Sequence, residues 1–500
     1  MKLKYIISAL FAIGIFACYN DEGNYDYQEI NEISVRDSLK EEYSVYMLAD
    51  TLKISPVLNF TQDSTTAGRF EFSWYLTSLE YEEGKITKIS DQLNLVYPVT
   101  AKEGSYKLSL GIKDLKTGVE WLTHSTLNVT TLFTNGWLML GEKEGNVALD
   151  MVTISTKGDT IITRDILKNS GLPVLKGPRK MVSTAREGYN PWYAGCFLMT
   201  DEGTFELDRK SLSSDISTNI RSVIYDPTIN DDFSASDLFQ SGTYHRYLLG
   251  DNKIFVNQSL IQSNSYGNCI NKYTQYSEEY FNVYPEAIWQ FNPMYVQGKQ
   301  LVYDMDNKRF AQFTYMSSYC DTLPDNIGDP FEWKTGNEMI AINNSLRIVE
   351  GAQVSYAVMK SPENKYYLYS MLPALAKKLE RYDISTLPGI AQAKQFGFSS
   401  KYPRMIYATG SKLYACEFLP SGITHKELED FGNEITMIHF DNAKESKKDF
   451  FYVATYNETD GGTIQKYQLT DNPNDMKTEK FERSRWEKLC KVTSMCWKWN

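Results

Sequence analysis

Apolar residues in this chain recur at every second position, in short runs broken by turn residues, which is the period of a half-buried strand. Phe70, Phe72, Trp74 and Leu76 fall on one face of such a run, with Glu71 and Ser73 on the other. Tyr106, Leu108, Leu110 and Ile112 repeat the pattern, with Lys107, Ser109 and Lys113 facing out. Turn chemistry separates the runs at Glu82-Glu83-Gly84-Lys85, at Lys102-Glu103-Gly104-Ser105 and at 114–118. Residues 29–131 therefore predict a β-sandwich. At 500 residues the chain is too long for a single core, so at least one further domain follows.

The remainder, 132–500, keeps the strand texture. Gly136 to Gly141, Val147 to Ile154, Leu301 to Asp304, Arg404 to Thr409 and Phe451 to Tyr456 are among its strand-like pieces. Hairpin turns are explicit in Thr200-Asp201-Glu202-Gly203, Gly250-Asp251-Asn252-Lys253 and Asp304-Met305-Asp306-Asn307. No long helical period competes, and only Pro373 to Tyr382 is expected as a short surface helix. So many short antiparallel strands must hide their sheet edges. A β-propeller does so by radial repetition, and at roughly 40–55 residues per blade this length predicts about seven blades. Two stacked sandwiches are the alternative. The run from Val492 to Trp499 is expected to pair with Gly136 to Gly141, joining the two ends of this region. The expected fold class is thus all-β, a sandwich followed by a propeller.

The first residues form a targeting signal. Lys2 and Lys4 make a basic start, and Ile6 to Phe16 make an apolar run too short to span a bilayer. Ile15-Phe16-Ala17-Cys18 resembles a bacterial lipobox, which implies a signal peptide over 1–17 and a lipid on Cys18. An ordinary signal with an incidental cysteine is the alternative. The polar tether 18–28 carries Asp21 and Glu22, which resemble the acidic signal that sends Bacteroidetes lipoproteins to the outer face of the outer membrane. The alternative is a solvated linker. Loss of Lys2 and Lys4 would take the formal charge from −11 to −13. A chain that acidic repels phosphate backbones, so nucleic acid is excluded as a natural partner. Of the other six cysteines, only Cys490 and Cys496 are close in sequence, and on one extended strand they stand too far apart to bridge. Buried free thiols are expected for all six, with a turn between the last two as the way a bridge could form.

Little chemistry announces itself. His124, His245, His425 and His439 show no metal-ligand spacing, so no metal and no cofactor is expected. Nucleophile-elbow, phosphate-loop and dinucleotide-turn motifs are missing, and no catalytic residue is assigned. His245 has the best context, in Gly242-Thr243-Tyr244-His245-Arg246-Tyr247. The pairs Asp231-Asp232, Glu278-Glu279 and Glu82-Glu83 read as solvated turns, because glycosidase acids come from different strands. Tyr273, Tyr276, Tyr280, Phe281 and Tyr284 are candidates for an exposed aromatic platform or for half-buried strand positions. An Asp-Ser/Thr-aliphatic (or Thr) pattern resembling the Bacteroidetes O-glycosylation motif occurs at Ser38, Thr51, Ser64, Thr160 and Thr322.

Taken together, the lipobox, the acidic tether Asp21-Glu22-Gly23-Asn24-Tyr25-Asp26-Tyr27, and Ile30-Asn31-Glu32-Ile33-Ser34-Val35 resemble the Bacteroidetes PKD-like family lipoproteins. Gly104 to Asp114 looks like the penultimate strand of a PKD-type immunoglobulin-like domain, and the junction from Phe133 to Gly141 also fits the family. The resemblance implies an accessory binding protein beside an outer-membrane TonB-dependent transporter and its SusD-like partner, taking a glycan, peptide or protein. A propeller hydrolase or lyase acting on polysaccharide or peptide is the rival, and a structural subunit of the transporter complex a third reading.

Overall fold

The computed structural model describes residues 31–499 apart from 36–37, 48–49, 63–67, 80–84, 132, 134, 155–159, 185–193, 241–244, 259–264, 291–297, 315–316, 443–444, 446–447 and 471–475. Among the described residues every regular element is a β-strand or a single 3-10 turn, as the period of two demands. The chain divides into two compact units, Met1–Thr130 and Thr131–Asn500.

In the first unit, one sheet orders its strands Glu42–Tyr46, Glu120–Thr130, Gly104–Asp114, Phe70–Ser78 and Ile86–Ser90. Its first two strands pair in parallel. Two smaller pairs, Ile33–Val35 with Leu58–Phe60 and Thr51–Ile54 with Leu95–Pro98, supply the opposing layer. Their inward residues Ile33, Leu52, Ile54, Leu95 and Tyr97 share one core with Trp74, Leu108, Leu110, Ile112 and Leu127. The Trp74 ring is fully buried, and its indole N–H donates to the carbonyls of Gln92 and Leu93 at 3.0 and 3.2 Å. A large apolar surface is thereby buried without orphaning its one polar atom.

Among the described residues, the second unit holds seven antiparallel sheets that follow one another along the chain. The first contains Gly136–Lys143, Asn146–Ile154 and Thr160–Thr163; the second Pro178–Ser183, Cys196–Thr200 and Gly203–Glu206. The third contains Ala235–Gln240, His245–Gly250 and Lys253–Gln258; the fourth Gln300–Asp304, Arg309–Phe313 and Asp321–Thr322. Glu338–Val349, Ala352–Lys360, Tyr366–Leu372 and Lys377–Asp383 make the fifth, and Gln395–Phe398, Arg404–Thr409, Lys412–Leu419 and Gly422–Asp430 the sixth. Glu434–Phe440, Phe450–Asn457, Gly461–Leu469 and Thr478–Leu489 complete the seventh. Local chemistry sets the hairpins. Asp251 and Asn252 both take positive φ (48° and 58°), which gives the two-residue turn whose twist matches the strands around it.

The last strand, Lys491–Lys498, does not join the seventh sheet. It pairs with Gly136–Lys143 in the first, placing Trp497 opposite Trp137 and Met495 opposite Met139. The register shifts at Leu140/Gly141, where a Cβ on Gly141 would lie 2.2 Å from the Lys491 carbonyl oxygen; only glycine fits. The pairing expected between the two ends of this region is therefore present.

Seven apolar cores join these sheets pairwise. Leu138, Leu140 and Leu149 of the first sheet pack with Leu198 and Phe205 of the second. Phe197 and Met199 pack with Leu238 and Leu248 of the third, and Phe239 and Tyr247 with Val302 and Phe313 of the fourth. The succession continues through Tyr303 with Met371, then Leu368 with Met405, then Ile406 with Phe451. The seventh core brings Tyr452 and Trp486 against Trp137, Met139 and Trp497 of the first sheet, so the packing order returns to its start. Alternate residues of one strand serve opposite neighbours, as Trp137 and Met139 do on one side and Leu138 and Leu140 on the other. Burial of each such side chain contributes about 1.5–3 kcal/mol.

The helix expected over Pro373 to Tyr382 is not formed. Pro373–Leu375 makes one 3-10 turn, Ala376 takes a left-handed φ of 49°, and Lys377–Asp383 continues as a strand paired with Tyr367–Leu372. A left-handed residue cannot propagate a helix, and the sheet edge offers the backbone partners that a short helix would otherwise supply.

Candidate functional site

The first strands of neighbouring sheets in the second unit are stitched together by polar contacts. Ser494 Oγ on the C-terminal strand accepts the Met181 N–H at 3.0 Å, and Thr436 Oγ1 donates to the Val492 carbonyl at 2.6 Å. Ser236 Oγ donates to the Pro285 carbonyl at 2.8 Å, and Asn344 Nδ2 to that of Ala287 at 2.9 Å. One charged group lies among these stitches. Lys180, central in the strand Pro178–Ser183, places Nζ 2.8 Å from Asp237 Oδ1 and 3.2 Å from Glu286 Oε1. Asp237 belongs to the next sheet, and Glu286 lies two residues before Ile288, which bridges to Leu301 of the sheet after that. Two successive sheets and the segment that bridges to the next thus meet at one ammonium group.

The surroundings fix the charge states. Burial opposes the Lys180 charge, but Asp237 and Glu286 outweigh it and hold the amine protonated well above its ordinary range. Asp237 is buried, and its Oδ1 also accepts the Leu238 N–H at 2.9 Å. His439, on the first strand of the seventh sheet, lies edge-on to Trp137 with ring centroids 5.6 Å apart. Loss of solvation there, then the Lys180 charge, lowers its pKa to about 4. The Tyr284 hydroxyl is pushed up by burial and then by the Glu286 charge, and it donates to the Ile340 carbonyl at 2.8 Å. The amine is thus permanently protonated and the imidazole permanently neutral near pH 7. Neither is poised to exchange a proton there, as general acid–base catalysis requires. The cluster can present fixed charge and hydrogen-bonding groups to a ligand.

Cys18, Asp21, Glu22 and Ser64 lie outside the described residues, as do Glu82-Glu83. Thr51, Thr160 and Thr322 are exposed, whereas Ser38 is half-buried and its Oγ accepts the Val57 N–H at 2.8 Å. His124 bonds Ser109 Oγ at 2.9 Å in the first unit, and His425 is exposed on an outer strand. His245 heads a strand of the third sheet. The aromatic platform does not assemble. Tyr276 and Tyr280 are exposed, but Phe281 is core, Tyr284 bonds Ile340, and the Tyr273 hydroxyl donates to Asp304 Oδ2 at 2.5 Å. The Asp304 carboxylate and the Ile340 carbonyl draw two of these rings inward. All six described cysteines are free thiols. Among the described residues, no three His, Cys, Asp or Glu side chains are grouped to hold a metal ion, and no helix is long and apolar enough to cross a membrane. Lys180, Asp237 and Glu286 escape sequence reasoning because they are separated by dozens of residues and carry no motif; only the return of the chain sheet by sheet brings them together.

Comparison with known proteins bears on the first unit. Residues 18–177 match the model of the PKD-like family. Over that stretch the chain is similar to that family. The match runs through the sandwich into the first sheet of the second unit. No curated protein matches the chain in sequence. Similar solved structures include a quinonprotein alcohol dehydrogenase-like protein from Bacteroides thetaiotaomicron, at 13% identity and TM-score 0.46, covering 94% of this chain and 100% of that one. Another is a candidate 6-phosphogluconolactonase from Bacteroides uniformis, at 9% identity and TM-score 0.46, covering 73% and 99%. Neither likeness carries an activity to this chain.

Two outcomes follow from the cluster. Lys180→Met leaves the buried Asp237 carboxylate without its cation and is expected to cost about 2–4 kcal/mol. The double substitution Lys180→Met/Asp237→Leu should recover most of that in urea unfolding; equal costs for the two variants would contradict the pairing. For His439, the folded-state pKa lies below that of the unfolded chain, so acid drives proton uptake by unfolding. Its stability contribution is complete above about pH 6.5 and declines as pH falls toward 4, by roughly 3 kcal/mol in total. His439→Gln should flatten the stability profile in that window, and unchanged slopes would refute the assignment.

Proposed function

We propose that the protein is an outer-membrane surface lipoprotein whose PKD-like unit spaces a seven-bladed β-propeller from a lipid on Cys18. The propeller acts as the accessory binding module of a SusC/SusD-like nutrient-uptake system. The observation that carries this reading is the start of the family match at residue 18, the cysteine that ends the lipobox. The processing motif and the family boundary thus fall on the same residue. Seven successive sheets with cyclically ordered cores support the blade count. The Lys180 ammonium, fixed between the Asp237 and Glu286 carboxylates at 2.8 and 3.2 Å, favours capture over turnover. The acidic tether with Asp21 and Glu22 is the feature that supports export to the outer face.

The test is metabolic labelling with a fatty-acid analogue in the native host. The wild type should take up label and fractionate with the outer membrane, whereas Cys18→Ser should lose both properties. Protease added to intact cells should degrade the wild type, and mild detergent should co-isolate a TonB-dependent transporter and a SusD-like protein. An unlabelled wild type would sink the anchor; hydrolysis of polysaccharide or peptide by the purified protein would favour the hydrolase or lyase alternative.

A further inference from the structure

The seventh sheet has a face whose character changes halfway along. On Phe450–Asn457, Phe451 and Val453 belong to the core shared with the sixth sheet, and Thr455 and Asn457 continue the same side. On Gly461–Leu469, Leu469 and Tyr467 belong to that core, and Gln465 and Thr463 continue it. The cross-strand register puts Thr455 opposite Thr463 and Val453 opposite Gln465, with Arg485 of the next strand beside Gln465. Half of the face packs and half is polar. Where it turns polar, it lines a cavity of about 620 Å³ whose lining also includes Phe431 and Asn433. That volume is within the range of small-molecule sites.

A face meant only to seal two sheets has no use for these side chains. The hydroxyls of Thr455 and Thr463 and the amide of Asn433 have no hydrogen-bond partner among the described residues, although Thr455 is only 8% exposed. Gln465 is 4% exposed and spends its amide N–H groups on the Lys466 and Phe481 carbonyls, which fixes the side chain and leaves Oε1 as an acceptor. Arg485 is steadied by Glu487 at 2.7 Å. The Phe431 ring, edge-on to Tyr467 with centroids 6.4 Å apart, supplies an apolar wall.

We propose that this cleft is a binding site for a short neutral oligosaccharide, a proposal that deepens the binding role above by naming a ligand class. Sugar hydroxyls both donate and accept, as do the threonine hydroxyls and the amide that face the cavity unpaired. A pyranose face packs on a ring such as that of Phe431. Carboxylates outnumber cations four to two around the cleft, which disfavours uronic, sulfated or phosphorylated ligands. A peptide is less well served, because Thr455 and Thr463 lie on the two central strands of the sheet, whose backbones already pair with a neighbour on each side.

The experiment is binding of the purified full-length protein to a panel of neutral oligosaccharides, uronic-acid oligosaccharides and peptides, repeated with Thr455→Val/Thr463→Val. This exchange keeps side-chain shape and removes two hydroxyls. A neutral oligosaccharide should bind the wild type, and the double variant should weaken it at least tenfold while its unfolding midpoint stays unchanged. Neutral-glycan binding that survives the substitution overturns the cleft assignment and leaves the binding role intact. Selective binding of anionic glycans or of peptides overturns the ligand class. No binding to any member of the panel overturns both the ligand class and the cleft.

Discussion

The second unit depends on one constraint: each of its sheets is apolar on both faces and needs a neighbour on each side. A row of such sheets would leave its first and last faces in water. The chain resolves this by returning its final strand, Lys491–Lys498, to the first sheet, so that Trp137, Met139 and Trp497 meet Tyr452 and Trp486 of the seventh. The aromatic contacts at this seam are dense, with Trp137 within 4.9 Å of the Tyr452 ring centroid and 5.2 Å of that of Trp497. Hydrogen bonds of the first sheet and apolar contacts of the seventh thus depend on the same eight residues. Every other sheet then finds its second neighbour in chain order.

The polar features follow from that arrangement. First strands of successive sheets approach closely, and their leftover polar groups bond across from sheet to sheet, as Ser494, Thr436, Ser236 and Asn344 do. Lys180 is the extreme case, a cation matched by one carboxylate from the next sheet and one from the segment leading to the sheet after it. Further from those strands the sheets need less packing, and the sequence is released to carry polar side chains on a face that is otherwise core. The Thr455–Thr463 pair arises there.

Much of this was legible in the residues. Alternation at Phe70–Leu76 and Tyr106–Ile112 marks strands because one face is buried and the other wet. The run Gly136–Gly141 reads as nearly continuous apolar sequence because its two faces serve two different cores, which a period-two template alone misses. The Pro373 turn was misread as a helix because the left-handed Ala376 leaves no mark in composition, and because the pairing of Lys377–Asp383 is tertiary information. The tyrosines of 273–284 looked like a platform in isolation; Asp304 and Ile340, which draw two of them inward, are distant in sequence. The Lys180 cluster could not be read at all, since its members come from two separate sheets and a connecting segment far apart in sequence.

The central claim is that the sheets of the second unit stand or fall together through the shared C-terminal strand. The most direct test is hydrogen exchange on the protein truncated after Cys490, compared with the full chain. The account predicts that amides of the fifth sheet, such as those of Ala352–Lys360, lose protection along with those of Gly136–Lys143, although no residue of the fifth sheet pairs with the deleted strand. Exposure confined to the first and seventh sheets, with the fifth protected as before, would contradict it.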